Sequence, residues 1–190
     1  MLVEPMIRRL ETHSDLQSAL QAALSDAIAL LGGEFGDIQL RTESGVLVMV
    51  GHTGLPRWFI ESFSHIAPDG GTTCARAARN RLSVTVHDLQ EDSEFRPFAS
   101  ATSAARSQAV ISSPLISSAD SCIGVISVYF TFPHTPTRIE IDALETYCGK
   151  AADYFAAKIG SASPAETAER IHTNLIQQLE SAAASKAHAD

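Results

Sequence analysis

The first part of the chain carries apolar residues at helical spacing. Ser14 precedes this stretch and Gln17 lies three residues later, so the two side chains are expected to form a capping box at a helix start. Gly32 and Gly33 are expected to end the helix. Its apolar stripe consists of Leu16, Leu20, Leu24, Ile28 and Leu31. The spacing predicts an amphipathic helix that covers a core.

Two runs of strand-like residues follow, over residues 37–41 and 46–52. The segment between them ends in Gly45, which can take the positive φ of a hairpin turn, so we expect an antiparallel hairpin. In the first run Ile38 and Leu40 share one face, because side chains alternate along a strand. The polar residues Asp37, Gln39 and Arg41 share the other face. We expect that face to meet water or a helical layer with polar edges.

Residues 54–81 change character and predict helices and loops that lie on one face of the sheet. Pro56 can open a short helix, and a second short helix can start near Thr72. The first helix would carry the aromatic residues Trp58, Phe59 and Phe63.

A short strand is predicted over residues 83–86, followed by an acidic turn that starts at Asp88. A helix from about residue 94 to residue 105 is then expected to hold Phe95 and Phe98.

Two strongly apolar strands are predicted over residues 108–116 and 122–132, and we expect them to lie centrally. Thr135 and Pro136 predict the cap and first residue of a long helix. Gly160 is expected to end that helix. The element order predicts an α+β fold, with a central antiparallel sheet sandwiched between helical layers and one extra C-terminal helix.

The extra helix is predicted to start near Ser163 and Pro164. Its apolar residues are spaced like a coiled-coil seam: Ala168, Ile171, Leu175, Leu179 and Ala182. We expect it to lie outside the domain of residues 1–160, because a monomeric core leaves no obvious surface to receive it. Residues 161–190 are therefore predicted to form a dimerisation or signalling helix with a frayed end.

Composition and charge limit the classes of function. Apolar residues make up 45% of the 190 residues and charged residues 19%, which suits one folded domain. The net charge of −8 argues against nucleic acid as a partner. No stretch is apolar and long enough for a membrane span or a signal sequence, so the chain is expected to be cytoplasmic and not to bind membranes.

The reactive residues follow no catalytic or metal-binding motif. Cys74, Cys122 and Cys148 are widely spaced and are expected to be reduced thiols. The chain has no zinc-protease motif, no Gly-rich phosphate loop and no nucleophile elbow. The pattern therefore favours a non-enzymatic protein with no catalytic residues and no metal.

Several short segments, spread over residues 16–159, together resemble a GAF domain. They are Gly36-Asp37-Ile38-Gln39-Leu40, Gly54-Leu55-Pro56, Gly71-Thr72-Thr73-Cys74-Ala75, Val86-His87-Asp88-Leu89, Asp92-Ser93-Glu94-Phe95, Ser113-Pro114-Leu115-Ile116, Ile123-Gly124-Val125-Ile126-Ser127 and Phe132-Pro133-His134-Thr135-Pro136. Their order and spacing are most similar to the GAF modules that precede histidine kinase cores in bacterial signalling proteins.

The resemblance implies a regulatory module that binds a small molecule between its sheet and the residue 54–81 helices. It also implies a homodimer formed through terminal helices, which acts on a partner kinase or another effector. The ligand and any cofactor stay unknown. The candidate ligand-binding residues are Phe63, Thr72, Thr73, Cys74, Asp88, Phe95 and Phe98. Backbone amides near Thr72 and Thr73 could hold a phosphate, and the aromatic rings could line a pocket for a flat ligand.

Other interpretations stay open. Cys74 could attach a bilin or sense redox state, although it lacks the following histidine of bilin-binding GAF domains, and a buried thiol is the simpler interpretation. His52, His65 or His87 could ligate a haem. A ligand-free dimerisation module is the alternative function. A methionine sulfoxide reductase-like GAF enzyme comes third, because the cysteines form no visible cluster.

Overall fold

The computed structural model describes residues 3–94, 96–98 and 105–187. Its strands are β1 (Phe35–Arg41), β2 (Leu47–Thr53), β3 (His65–Ile66), β4 (Val84–Val86), β5 (Ala109–Ile116) and β6 (Cys122–Phe130). They form one sheet in the order β3-β2-β1-β6-β5-β4, and every neighbouring pair is antiparallel. The described helices are α1 (Val3–Leu10), α2 (Leu16–Leu31), α3 (Arg57–Ser62), α4 (Thr73–Asn80), α5 (Arg138–Ile159) and α6 (Pro164–Ala187).

The predicted α+β class is confirmed, with helices on both faces of the antiparallel sheet. The β1–β2 hairpin forms as expected, and Gly45 takes a φ of +90° in its turn. The register shifts between Ile38 and Gln39, where β2 carries one extra residue. β1 and β6 occupy the two central positions, so both have a bonded neighbour on each side.

One face of the sheet packs against α2 and α5. Ile38 and Leu40 point into this layer, as the alternation predicted, and both are buried. Tyr147 of α5 is also fully buried there, and its hydroxyl donates to Asp26 Oδ2 at 2.8 Å. Helix α1, which the sequence analysis did not predict, adds Leu10 to the same core.

Two helix starts lie beyond their predicted caps. Asp15 rather than Ser14 caps α2, and its Oδ1 accepts a hydrogen bond from the Ser18 amide at 2.8 Å. Thr137 rather than Thr135 caps α5, because Glu140 three residues later completes a reciprocal capping box. In both segments several cap-forming residues lie close together, and the side chain that can reach the amide three residues on is the one used.

The other face is covered by α3 and α4, together with a short 3-10 turn at Arg96–Phe98. Pro56 stands at the N-cap of α3, as predicted. The helix expected over residues 94–105 falls largely on Phe95 and residues 99–104, which lie outside the described residues. Within that range the described part is the 3-10 turn.

The last helix packs against the open edge of the sheet, so the prediction that it lies outside the core is wrong for its first half. β3 pairs only with Leu47 and Val48, which leaves the rest of β2 without a strand on that side. α6 covers this edge, and Ile171 and Leu175 are 1% and 7% exposed. The Nδ1 atom of His172 lies 2.7 Å from the backbone oxygen of Met49 on β2. An uncovered sheet edge is a natural receptor for such a helix.

Beyond Leu179 the side chains of α6 are exposed up to residue 185. Within the described ranges, no helix is long and apolar enough to cross a membrane.

Candidate functional site

Polar side chains are buried on the face of the sheet that α3 and α4 cover, called the covered face below. Asp37 and Gln39 on β1 are each 1% exposed, although the strand pattern predicted that they meet water or a polar-edged layer. β1 lies in the middle of the sheet, so the helices that cover its neighbours cover these side chains as well. The covered face also carries Ser127 and Tyr129 on β6 and Ser112 on β5.

Asp37 is the most perturbed carboxyl of the covered face. The hydroxyl of Tyr129 donates to its Oδ2 at 2.8 Å, while Oδ1 has no hydrogen-bond partner among the described residues. Burial raises the pKa of Asp37 to about 7, against the opposing effect of the Tyr129 hydrogen bond. The side chain therefore changes its charge near neutral pH.

Gln39 also has a buried oxygen without a hydrogen-bond partner among the described residues. This oxygen is Oε1 of its side-chain amide. Buried polar atoms are nearly always satisfied by protein, water or ligand. Gln39 Oε1 and, when Asp37 is ionised, Asp37 Oδ1 are thus two acceptors on one strand that can receive hydrogen bonds from N–H or O–H groups of a bound molecule.

The start of α4 brings Thr72, Thr73 and Cys74 onto this face. Thr72 caps the helix, accepting a bond from the Ala75 amide at 3.4 Å. Its hydroxyl also lies 3.1 Å from Cys74 Sγ. Thr73 Oγ1 accepts a hydrogen bond from Ser112 at 2.8 Å. Both hydroxyls are therefore engaged within the chain, and the bond between Ser112 and Thr73 holds α4 against the sheet.

The Cys74 thiol is buried, and burial raises its pKa to about 12, with the charge of Asp37 adding to the rise. The helix start does not offset this desolvation, so the thiol stays protonated at neutral pH. This environment favours the structural interpretation of Cys74 over a reactive thiolate.

Aromatic rings fill the space above the polar side chains. Phe63 is 8% exposed, with ring centroids 4.5 Å from Phe59 and 5.7 Å from Phe98. Phe59 also meets Tyr129 edge-on at 5.7 Å. The structure thus brings Phe63 and Phe98 together, adds Phe59, which was not among the predicted site residues, and leaves Phe95 outside the described residues.

Asp88 forms a hydrogen bond within its own turn. Its Oδ1 accepts a hydrogen bond from the Gln90 amide at 2.9 Å, which stabilises the acidic turn. In the same turn Asp92 receives two bonds from Arg76 Nη1, at 2.9 and 3.1 Å, which tie the turn to α4. A ligand contact at Asp88 stays a prediction.

The histidines considered for haem are dispersed. His65 Nε2 lies 2.9 Å from Glu169 Oε1 on α6, and His87 is exposed with Glu91 at 3.7 Å. His52 faces Asp37 in the β1–β2 ladder, and burial lowers its pKa. Its Nδ1 is buried without a partner among the described residues, so it extends the group of unsatisfied atoms to β2.

The cysteines do not form a cluster within the described residues. Cys74 belongs to the core beneath α3 and α4, whereas Cys148 lies in the core between the sheet and α5. The sheet therefore separates these two thiols. Cys122 is half-buried at the start of β6, in the wall of a cleft of about 830 Å³.

A sequence profile identifies the family of the chain, and solved structures share its fold. Residues 13–156 match the sequence profile of a family described as GAF domain. No curated protein sequence matches the chain with significance. The GAF domain of an Acinetobacter phosphoenolpyruvate-protein phosphotransferase superposes with a TM-score of 0.66 at 13% identity, covering 85% of this chain and 95% of that one.

Two further solved structures show how different the functions on this fold are. The phycocyanobilin-bound GAF domain of a cyanobacterial phytochrome has a TM-score of 0.63 at 16% identity, covering 82% of this chain and 94% of that one. The free methionine-R-sulfoxide reductase of Neisseria meningitidis, in complex with its substrate, has a TM-score of 0.64 at 18% identity, with 82% and 87% covered. At these identities the likeness concerns the fold alone.

Proposed function

The chain belongs to the GAF domain family, and on that premise we propose that it is a sensory or regulatory domain of bacterial signal transduction that binds a small molecule on its covered face. The observation that carries the proposal is the pair of unsatisfied acceptors, Asp37 Oδ1 and Gln39 Oε1. An unpaired buried acceptor costs about 1–3 kcal/mol, and a ligand that donates hydrogen bonds to both oxygens removes that cost.

The acceptors define the class of ligand. It presents N–H or O–H donors to β1 and an apolar or flat surface to Phe59 and Phe63. Since these rings now lie over the polar side chains, α3 must move outward when the ligand enters. Neutral and cationic molecules are favoured over anions, because Asp37 gains negative charge near neutral pH.

A substitution that removes one acceptor tests the proposal. Gln39→Leu replaces an amide by an apolar group of similar size, and Gln177→Leu makes the same change at an exposed position of α6. We expect a protein-free extract of bacterial metabolites to raise the Tm of the wild type and of Gln177→Leu by several degrees. It should leave the Tm of Gln39→Leu unchanged.

The stability of Gln39→Leu without extract shows whether this variant is folded. Without extract, Gln39→Leu should be about 1 kcal/mol more stable than the wild type, because an unpaired polar atom leaves the core. A stable variant that no longer responds to the extract supports the proposal. An equal shift in all three proteins places the binding elsewhere, and no shift in the wild type contradicts ligand binding.

The output is proposed to run through helices in a homodimer, toward a partner kinase or another effector. Ile171 and Leu175 are buried against their own sheet, so the dimer must use the exposed side of α6 and its second half. α6 is joined to the covered face through β2, where His172 lies against Met49. A ligand that shifts β1 and β2 therefore acts on the helix that would carry the signal.

A ligand-free dimerisation or interaction module is the second candidate, and the contacts among Phe59, Phe63 and Phe98 favour it because they already fill the layer above the sheet. A reductase activity is the third. The protonated Cys74 and its separation from Cys148 argue against it.

A further inference from the structure

A cleft with three arginines lies at one end of the sheet, where it borders the core beneath α3 and α4 through Leu47 and Ala75. Its volume is about 830 Å³, which is within the range for sites that bind small molecules. Its walls come from the β1–β2 turn, the end of α4, the start of β6 and the junction between α5 and α6. We call it the arginine cleft, after Arg41, Arg79 and Arg81.

The three guanidinium groups are not equivalent. Arg79 Nη1 donates to the backbone oxygens of Pro68 and Gly70 at 3.1 and 3.3 Å, so it holds a loop in place. Arg81 forms an ion pair with Asp120. Arg41 is half-buried, and its side chain has neither a hydrogen bond nor an ion pair to any described residue.

None of the described carboxylates that line the cleft forms an ion pair with Arg41. Glu43 accepts hydrogen bonds from the Ser163 hydroxyl at 2.9 Å and from the Ala165 amide at 3.2 Å, so it caps α6. Asp120 is paired with Arg81, and Asp69 makes no ion pair with any arginine that the structure describes. A half-buried guanidinium with free N–H donors is a strong binding site for carboxylate or phosphate oxygens, which accept its hydrogen bonds.

The position of Arg41 is defined by its neighbours. Its Nη2 lies 3.2 Å from the place that a Cβ would occupy at Gly45, next to Pro68. Burial raises the pKa of Cys122, and Arg41 is the first of two arginines that oppose the rise, Arg81 being the second. Both guanidinium groups are therefore close enough to the Cys122 thiol to favour its ionised form.

The remaining wall is apolar. Leu47, Ala75, Ala78, Ile123, Ala156 and Ile159 line it. We propose that the arginine cleft binds a small organic anion, with its carboxylate or phosphate on Arg41 and its apolar body against this wall. Because Gly160 and Pro164 also line the cleft, the bound anion contacts the junction that sets the direction of α6.

Phenyl phosphate is the test probe, since it combines a dianion with one apolar ring, and the Cys122 thiol is the local reporter. Alkylation of Cys122 by neutral iodoacetamide is followed by mass spectrometry at increasing phenyl phosphate. The concentration that halves the rate gives the binding constant. Protection is measured as a ratio of rates within each variant, because removal of Arg41 also changes the reactivity of the thiol itself.

We expect phenyl phosphate to protect Cys122 of the wild type from alkylation. Phenol and inorganic phosphate should each need a concentration at least about tenfold higher for the same protection. Arg41→Gln should weaken protection by phenyl phosphate about tenfold or more. Arg138→Gln removes one exposed arginine from α5, where it pairs with Asp142, and should leave the constant unchanged.

The proposal is overturned if saturating phenyl phosphate leaves the alkylation rate of wild-type Cys122 unchanged, or if phenol protects equally well. It is also overturned if Arg41→Gln retains the wild-type constant. Gln39→Leu should bind phenyl phosphate as the wild type does, so loss of binding at this cleft and loss of a ligand on the covered face are measured separately.

Discussion

Asp37 is expected to make the stability of this domain fall as the pH rises. Its pKa is about 7 in the folded chain and 3.8 in its ordinary state, so the folded state holds a proton that the unfolded state releases between these values. Stability falls with pH wherever the folded state binds more protons. The loss of stability that comes from burying the ionised Asp37 carboxylate is absent below about pH 4 and complete above about pH 7.

Asp37→Asn removes the ionisable group and keeps an oxygen that can accept from Tyr129. One pKa unit corresponds to about 1.4 kcal/mol, and the linkage relation over the two pKa values gives about 3 kcal/mol between pH 5 and pH 8. The free energy of unfolding of the variant, relative to the wild type, should therefore rise by about that amount over this interval.

Urea unfolding of both proteins at a series of pH values measures the difference directly, since contributions of other groups cancel. Asp142→Asn, on the exposed side of α5, is the matched control. A difference between wild type and Asp37→Asn that stays constant from about pH 5 to pH 8 would refute the assignment of a buried, near-neutral carboxyl to the covered face.

Three further outcomes follow from the packing. Phe59→Ala should lower the free energy of unfolding by about 3–5 kcal/mol, whereas Trp58→Ala, on the exposed side of α3, should cost far less. Leu175→Ala should lower the free energy of unfolding in urea by about 2–5 kcal/mol at any protein concentration, whereas Gln177→Ala should change it little. A loss of stability that appears only at high protein concentration would mean that Leu175 packs against a second copy. When the folded protein is alkylated and followed by mass spectrometry, Cys122 should react first. Equal alkylation rates at all three thiols would contradict the burial of Cys74 and Cys148.

The features that the sequence predicted well are those with a local cause. Gly32 ends α2 with a φ of +66° and Gly45 makes the hairpin turn, since both positions need a backbone conformation that other residues rarely adopt. The stripe of α2 and the hairpin alternation also followed from spacing alone. Helix caps were shifted where Ser14 and Asp15, or Thr135 and Thr137, offered equivalent chemistry.

The errors concern what covers each surface, which is a non-local property. Asp37 and Gln39 have the alternation of a half-exposed strand, but their burial depends on β1 lying between β2 and β6 beneath α3 and α4. The receptor for Ile171 exists only because β3 is two residues long and leaves the edge of β2 open.

The structure brings together part of the set of residues that the resemblance suggested. The resemblance led to Thr72, Thr73, Cys74, Phe63 and Phe98, all of which lie over or beside the covered face. The polar residues beneath them were missed, although Ser112 and Ser127 stand in strands that are mostly apolar. A polar residue in a central strand was the available signal, because it must be satisfied by something inside the fold.

Native mass spectrometry tests most directly whether the covered face binds a ligand. The wild type and Gln39→Leu are each incubated with the metabolite extract, freed of unbound molecules, and weighed under native and denaturing conditions. The account predicts a wild-type native mass that exceeds the polypeptide by one small molecule per subunit, and a Gln39→Leu protein without that molecule. The bare polypeptide mass in the wild type, or the same added mass in both proteins, would contradict it.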